Sequence, residues 1–311
     1  MESQGHCLAD IRVRDPHILP LPDTGTYYLT CALGRSEDAP AGGVQVLWSQ
    51  DLQRWQGPRV VYRVPEDAWG RAGVWAPEMH RYAGRYWLLL THNSEAALPG
   101  QRPGAVRQAG WPPLVRRGSQ VLVSSSPLGP FTELANRPTL PPELMTLDGT
   151  LWLEDGQPYM VYCHEWVQLG DGAVAAVPLM ADLSALAGEP QVLFHGSDAP
   201  WATPSSSRPG SWVTDGPSLF HTASGTLLMI WSGFGRGGYT TGLARSASGR
   251  LSGPWVQQTE PLFEADGGHG TVFRRLDGQL MLVLHQPNRT PEERARIFEL
   301  EDLGDSVRIR R

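Results

Sequence analysis

Short apolar runs separated by turn residues recur five times along the chain. In each recurrence, two runs of aliphatic and aromatic residues flank a glycine-containing turn such as Asp-Thr-Gly or Glu-Asp-Gly. This pattern predicts antiparallel β-hairpins, because glycine adopts the positive φ angles that tight turns require. The five copies begin at Arg14, Trp75, Leu147, Thr214 and Gly267.

A second pair of strand-like runs follows each of the first four hairpins, often joined by a turn that contains Gly-Pro. Each repeat is therefore predicted to hold four antiparallel strands. Four-stranded units repeated around an axis form a β-propeller, so the sequence predicts an all-β fold, a five-bladed β-propeller that forms a single domain over residues 1–311. A β-sandwich with a second domain is the alternative, but it does not require a fivefold repeat.

Two inserts rich in proline, glycine and serine interrupt the repeats, at residues 92–118 and 195–212. Both are predicted to be loops. Long loops in a compact domain often carry function, although a mobile surface insert has the same composition.

Composition excludes several classes of function. The 311 residues carry a formal charge of −6, whereas nucleic-acid binders normally present a basic surface, so no nucleic-acid partner is expected. No apolar stretch is long enough to span a membrane, and none near the first residue resembles a signal peptide, so we expect a cytoplasmic protein without a membrane partner. The three cysteines, Cys7, Cys31 and Cys163, are too widely spaced to indicate a disulfide framework or a zinc site.

Candidate catalytic residues emerge when the starts of the five repeats are aligned, because the first strand of every propeller blade lines the central axis. The aligned positions are Asp15, Ala76, Asp148, Asp215 and His269. Any one aspartate before glycine or proline could simply cap a turn. Three at one repeat position instead predict an acidic cluster, in which neighbouring charges raise one another's pKa. Glycoside hydrolysis requires such a set, with one carboxylic acid and one carboxylate.

The ordered set of motifs resembles glycoside hydrolase family 43. The resemblance covers nearly the whole chain and is carried by RDPHIL, VWAPEMH, LDGTLWLEDGQPYMVY, TDGPSLF and GGHGTVF. It implies a five-bladed propeller and an inverting enzyme with an oligosaccharide substrate. Most members act on α-L-arabinofuranosides or β-D-xylosides and some on galactans. It also implies Asp15 as general base, Asp148 as pKa modulator and the blade-four carboxylate as general acid.

The chain departs from the family at the acid, because the family usually has glutamate before Gly-Pro in blade four and this chain has Asp215. The aspartate side chain is one methylene shorter than glutamate, so its carboxyl group reaches about 1.5 Å less far. We predict Asp215 as the acid because it aligns with Asp15 and Asp148. Glu165, in the YCHEW segment, is the alternative acid, and loss of hydrolytic activity is the third interpretation.

Several aromatic side chains are candidates for binding sugar. Trp75 resembles the family's Trp-Ala-Pro motif and is predicted to stack on a sugar face. Trp166 and Trp231 end predicted second strands and could face the mouth, with core packing as the alternative for each. His164, beside Glu165, is also predicted to contact the substrate.

Further candidates follow from the resemblance. The family often supplies a substrate-contacting arginine after the last blade's second strand, where Arg289, Arg294 and Arg296 all qualify. The resemblance also implies that His269 contacts a central calcium ion, directly or through water. Imidazole is an unusual calcium ligand, so a neutral hydrogen-bonding role is the alternative. No cofactor is expected to be required.

Taken together, these features predict an exo-acting, inverting hydrolase that releases arabinofuranosyl or xylosyl residues from oligosaccharides. A galactoside-acting enzyme of the same fold is one alternative. A non-catalytic sugar-binding propeller is another, and the aspartate at position 215 supports it.

Overall fold

The computed structural model describes residues 5–310 and shows five antiparallel sheets arranged as the blades of a propeller. Four strands of every blade come from one continuous stretch of chain, and blade one gains a fifth, short outer strand. The predicted all-β fold and the five blades are therefore confirmed.

The strand bounds follow the predicted repeats. Blade one contains β1 (His6–Cys7), β2 (His17–Leu21), β3 (Thr26–Leu33), β4 (Gly43–Ser49) and β5 (Arg54–Arg63). Blade two contains β6 (Gly73–Tyr82), β7 (Arg85–Ala97), β8 (Val115–Ser124) and β9 (Thr132–Glu133). Blade three contains β10 (Thr146–Glu154), β11 (Gln157–His164), β12 (Ala173–Pro178) and β13 (Gln191–His195). Blade four contains β14 (Asp215–His221), β15 (Leu227–Gly235), β16 (Gly238–Ser246) and β17 (Trp255–Gln257). Blade five contains β18 (Gly268–Arg274), β19 (Leu280–Gln286), β20 (Arg294–Asp302) and β21 (Val307–Ile309).

Helix is scarce in the described part of the chain. One short helix, α1 (Trp166–Leu169), follows β11, and three 3-10 turns lie at Leu8–Asp10, Pro22–Thr24 and Gly196–Asp198. Within residues 5–310, no helix has the length and apolar character needed to cross a membrane.

The first strand of each blade surrounds the axis. Strand β2 contacts β6 and β18, while β10 contacts β6 and β14, and β14 contacts β18. These contacts close a ring of five inner strands. Residues at the starts of these strands, far apart in sequence, therefore meet at one end of the axis.

Apolar side chains fill the spaces between neighbouring blades. The cluster between blades three and four joins Cys163 to Trp231, and the cluster between blades five and one joins Val283 to Leu29. Because each blade buries its faces only against its neighbours, the ring is stable as a whole rather than blade by blade.

The N-terminal segment helps to join blade five to blade one. The 3-10 turn at Leu8–Asp10 contacts β20, and Arg12 forms a β-bridge with Arg294 and an ion pair with Glu293. The last strand pairs within blade five, since β21 hydrogen-bonds to β20. The three cysteines are free thiols, which agrees with their spacing.

The two inserts are partly ordered as strand. Strand β7 continues to Ala97 and β8 begins at Val115, so the first loop is restricted to residues 98–114. Leu98 and Leu114 pack against Val167 of α1, which anchors this loop beside the end of β11. The second insert begins at His195, the last residue of β13, and continues through the 3-10 turn at Gly196–Asp198 into a loop that precedes β14.

Candidate active site

One backbone feature recurs at the start of every blade. A residue with positive φ lies there, with values between 43° and 57°, at Asp15, Ala76, Asp148, Gly216 and His269. In four blades it sits in a β-bulge, where the pairing register shifts. Four of the five are not glycine, and for them this conformation costs about 1–2 kcal/mol each. Strain of this kind is often retained at functional sites.

This feature corrects the sequence alignment in blade four. The position equivalent to Asp15 and Asp148 is Gly216, so Asp215 lies one residue before it rather than at it. The prediction that Asp215 occupies the equivalent repeat position is wrong, because the alignment matched aspartates by type and ignored the glycine that takes the positive φ.

Asp15 is surrounded by positively charged or hydrogen-bonding groups. Its Oδ1 lies 3.4 Å from Nδ1 of His269 and 3.2 Å from Nδ1 of His285. Burial alone would raise the pKa of Asp15, but His269, His285 and the nearby Arg14 outweigh it and hold the pKa well below its usual range. Asp15 is therefore ionised at neutral pH and can accept a proton.

Asp148 has the opposite environment. Burial, followed by the charges of Asp215 and Asp15, raises its pKa well above the usual value for aspartate. Its Oδ2 accepts a hydrogen bond from the backbone N–H of Gly216 at 3.1 Å. Asp148 therefore holds the peptide directly after Asp215.

Asp215 also has a raised pKa. Burial is the largest cause, and His269 and a hydrogen bond from Tyr239 oppose it. The Tyr239 hydroxyl donates to Oδ2 of Asp215 at 2.7 Å. The site thus contains one carboxyl group with a lowered pKa, Asp15, beside Asp148 and Asp215, whose pKa values are raised. Opposed shifts of this kind divide acid and base roles between carboxyl groups.

Glu165 is buried and bound to Arg117, whose Nη1 donates to both carboxylate oxygens. Burial raises the pKa of Glu165 above its usual value, although Arg117 opposes the shift. The Arg117 guanidinium also lies 4.3 Å from the ring centroid of Trp75. Glu165 would have to leave this ion pair before it could carry a proton.

The predicted site residues converge on one cavity of about 440 Å³. Its lining includes the four candidate carboxyl groups and three further predicted residues, Trp75, Trp166 and His269. Trp75 is 42% exposed, so much of its surface is available for stacking on a sugar. Both inserts reach this cavity, since Ser205 lines it and Trp111 packs edge-on against Trp166 at 5.3 Å.

Trp231 and His164 do not line the cavity. Trp231 is fully buried between Phe194 and Trp201, so the expectation that it faces the mouth is wrong. Its position in β15 points the indole between blades three and four, where apolar burial is favourable. His164 directs Nε2 to Oε1 of Gln168 at 2.8 Å and lies outside the lining residues.

The predicted arginines also lie outside the cavity. Arg289 pairs with Glu292 on the surface, and Arg294 donates to the backbone oxygens of Ala9 and Pro291. These partners direct both guanidinium groups toward the N-terminal segment or solvent. The arginine that lines the cavity is instead Arg14, which donates to Oδ1 of Asn288 at 2.7 Å.

Sequence reasoning did not identify four residues of the site as functional: Arg14, Tyr239, His285 and Asn288. Arg14 had a usable signal, since it directly precedes Asp15 and is equivalent to Asp215 once the positive-φ positions are aligned. Tyr239 lies on β16, the third strand of its blade, and no repeat pattern links it to the axis.

The donors around His269 do not suit direct binding of a calcium ion. Calcium takes six to eight oxygen ligands, whereas His269 offers ring nitrogen, and its Nδ1 lies between carboxylates of Asp15 and Asp148 at 3.4 and 3.7 Å. This donor set does not fit a calcium ion held by His269. The ring instead lies between two carboxylates, so its close neighbours are carboxyl groups of the site.

A second group of potential ligands lies farther along the inner strands. Donor atoms of His17, Glu78 and His80 lie within 4.8 Å of one another. The backbone N–H of Met79 donates to Nδ1 of His17 at 3.4 Å, and burial lowers the pKa of His17 to about 4. The neutral ring therefore carries its proton on Nε2 and has no free lone pair for a metal. This cluster is a hydrogen-bonded link between blades one and two.

A five-bladed propeller whose axial cavity holds carboxyl groups with opposed pKa shifts is the arrangement of a glycoside hydrolase. The chain belongs to glycosyl hydrolases family 43, whose family model matches residues 8–310. A search of curated protein sequences gave no match.

Solved structures agree with this assignment. An endo-arabinase from Bacteroides thetaiotaomicron is 36% identical, with a TM-score of 0.82, over 96% of this chain and 98% of that one. An α-L-arabinofuranosidase from Lactobacillus brevis is 19% identical, with a TM-score of 0.73, over 100% and 99% of the two chains. An endo-1,4-beta-xylanase from Bacteroides thetaiotaomicron is 21% identical, with a TM-score of 0.72, over 99% and 97%. The last two show the fold alone.

Proposed function

We propose that this glycoside hydrolase cleaves α-L-arabinofuranosyl linkages with inversion and releases single residues from oligosaccharides. The opposed pKa shifts of Asp15 and Asp215 in one cavity support catalysis most directly. The neighbour at 36% identity, described as an endo-arabinase, supports the arabinosyl substrate. A β-D-xylosyl substrate is the second choice and a galactosyl substrate the third.

In the proposed reaction, Asp15 takes a proton from a water molecule as the water oxygen attacks the anomeric carbon. Asp215 gives its proton to the glycosidic oxygen, and the bond between that oxygen and the anomeric carbon breaks. Asp148 orients the acid through the Gly216 N–H, while burial and the charge of Asp15 keep the Asp215 pKa high. The leaving sugar departs as an alcohol, and the released sugar carries the water oxygen.

Exo action is supported by the inserts. Ser205 and Ser207 of the second loop line the cavity, and the first loop places Trp111 against Trp166 at its edge. Loops at the edge of a cavity favour the end of a chain over its middle. The endo-arabinase neighbour favours a different mode of cleavage, in which arabinan is cut internally.

A substrate panel separates these candidates. Nitrophenyl arabinofuranosides, xylosides and galactosides would identify the sugar, and linear arabinan with short arabino-oligosaccharides would identify the mode of cleavage. We expect arabinose alone as the early product from the oligosaccharides. Early release of mixed oligosaccharides from arabinan would establish endo action, and binding of sugar without any hydrolysis would establish the binding propeller.

We expect the anomeric configuration to invert. An inverting site holds its acid and base roughly 6.5–9.5 Å apart, which leaves room for the attacking water. Proton NMR of the first-formed sugar, recorded before mutarotation, measures the outcome. A retained anomer would mean that a carboxylate attacks the sugar directly.

We also propose that catalysis requires no cofactor. The protein groups described above supply both proton transfers, and the donors around His269 do not suit calcium. Dialysis against EDTA should therefore leave kcat within about twofold of its starting value, an expectation based on the donor preference of calcium. A large loss that added calcium restores would contradict this proposal.

A further inference from the structure

We propose that Tyr239 is a positioning residue that directs the acid proton of Asp215 to Oδ1. This inference rests on the proposed function, in which Asp215 is the general acid. It assigns a role to a residue of β16 whose hydroxyl meets the acid inside the cavity.

The hydrogen bond determines which carboxyl oxygen carries the proton. Tyr239 donates to Oδ2 of Asp215 at 2.7 Å, and within residues 5–310 this is the one hydrogen bond that its hydroxyl makes. In a protonated carboxyl group, the carbonyl oxygen is the better acceptor and the other oxygen bears the hydrogen. With Oδ2 accepting from Tyr239, the proton lies on Oδ1 and is available to the glycosidic oxygen.

The tyrosine is held rigidly enough to impose this choice. Its ring stacks on His285 at 5.6 Å with an interplanar angle of 17°, and Phe234 meets it edge-on at 5.7 Å. On another side it packs against Gly268, where an added Cβ would lie 2.7 Å from the Tyr239 ring. The phenol therefore cannot swing away from Asp215 without disturbing three neighbours.

The same ring connects the acid to the base. His285 stacks on Tyr239, and its Nδ1 lies 3.2 Å from Oδ1 of Asp15. The positions of the two catalytic carboxyl groups are thus linked through two stacked rings. This link suits a short acid side chain, because Asp215 has little reach of its own and depends on a fixed orientation of its carboxyl group.

The test is Tyr239→Phe, which keeps the ring and removes the hydroxyl. We expect kcat on an arabino-oligosaccharide to fall about tenfold, the rate equivalent of one hydrogen bond. Activity on a dinitrophenyl glycoside, whose leaving group needs little protonation, should fall much less. Tyr162→Phe is the matched control, since Tyr162 is buried in blade three outside the cavity, and it should leave both activities unchanged.

The pH profile gives a readout that a purely structural role would not produce. Donation from Tyr239 stabilises the Asp215 carboxylate and lowers its pKa, so removing the hydroxyl raises that pKa. Because the acid must be protonated, kcat/KM falls as pH rises through this value. The basic limb of Tyr239→Phe should therefore move to higher pH, by up to about one unit, although the variant is slower.

The outcomes separate this inference from the proposed function. If the wild-type protein hydrolyses no glycoside, the proposed function fails. If the wild-type protein is active and folded Tyr239→Phe shows neither the substrate-dependent loss nor the upward shift, the role of Tyr239 is overturned. Thermal melting of both variants confirms that they are folded.

Discussion

Asp15→Asn is expected to lower kcat by about 10²–10⁴-fold, the usual contribution of a general base. The amide cannot take a proton from water, yet it has nearly the same size and shape as the carboxylate. Asparagine also tolerates the positive φ of 50° found at Asp15, so the fold should be retained. Initial rates on the best aryl glycoside of the panel measure the loss, and a thermal melt confirms folding.

Asp155→Asn provides a matched control for this substitution. Asp155 has a positive φ of 51° and lies in the hairpin turn between β10 and β11, outside the cavity. The same chemical change in the same backbone conformation should leave kcat unaffected. Near-wild-type activity of a folded Asp15→Asn protein would remove Asp15 from the role of base.

The environment of Asp15 also predicts the acidic side of the pH profile. His269, His285 and Arg14 overcome the effect of burial and hold the Asp15 pKa below its usual value. The base therefore stays ionised as pH falls through the range in which an ordinary aspartate becomes protonated, and the acidic limb of kcat/KM should lie below pH 4.

The fold was largely predictable because its determinants are local. Consecutive residues determine the hairpin turns and the strands that flank them. The fivefold recurrence of this pattern specifies the blades. The position of Asp15 and Asp148 at the axis followed from the same recurrence. In blade four the predicted alignment was wrong by one residue, because the bulge places Gly216, not Asp215, at the equivalent position.

The unpredicted part of the site depends on contacts between distant segments. Tyr239 reaches Asp215 from the third strand of blade four, and His285 reaches Asp15 across the junction of blades five and one. No spacing in the sequence encodes these distances. Trp231 shows the converse. A side chain of the second strand could face the mouth or the blade interface, and only the packing of blade four decides between them.

The identity of the acid is tested by comparing Asp215→Ala with Glu165→Ala on two leaving groups. A poor leaving group needs a proton from the acid, whereas a dinitrophenolate departs with little help. We expect Asp215→Ala to lose about 10²–10⁴-fold in kcat on an arabino-oligosaccharide and to keep much of its activity on the dinitrophenyl glycoside.

Glu165→Ala should behave differently, because Glu165 is bound to Arg117 rather than poised to give up a proton. Its removal leaves Arg117 without its carboxylate partner beside Trp75, so sugar binding should weaken for both substrates alike. The expected signature is a raised KM with little dependence on the leaving group. Arg117→Ala provides the matched comparison and should give the same signature, since it breaks the same ion pair from the other side.

If Glu165→Ala instead shows the leaving-group dependence and Asp215→Ala does not, the acid is Glu165. If neither variant shows it, the assignment of a general acid to this cavity is wrong and the binding propeller becomes the better interpretation.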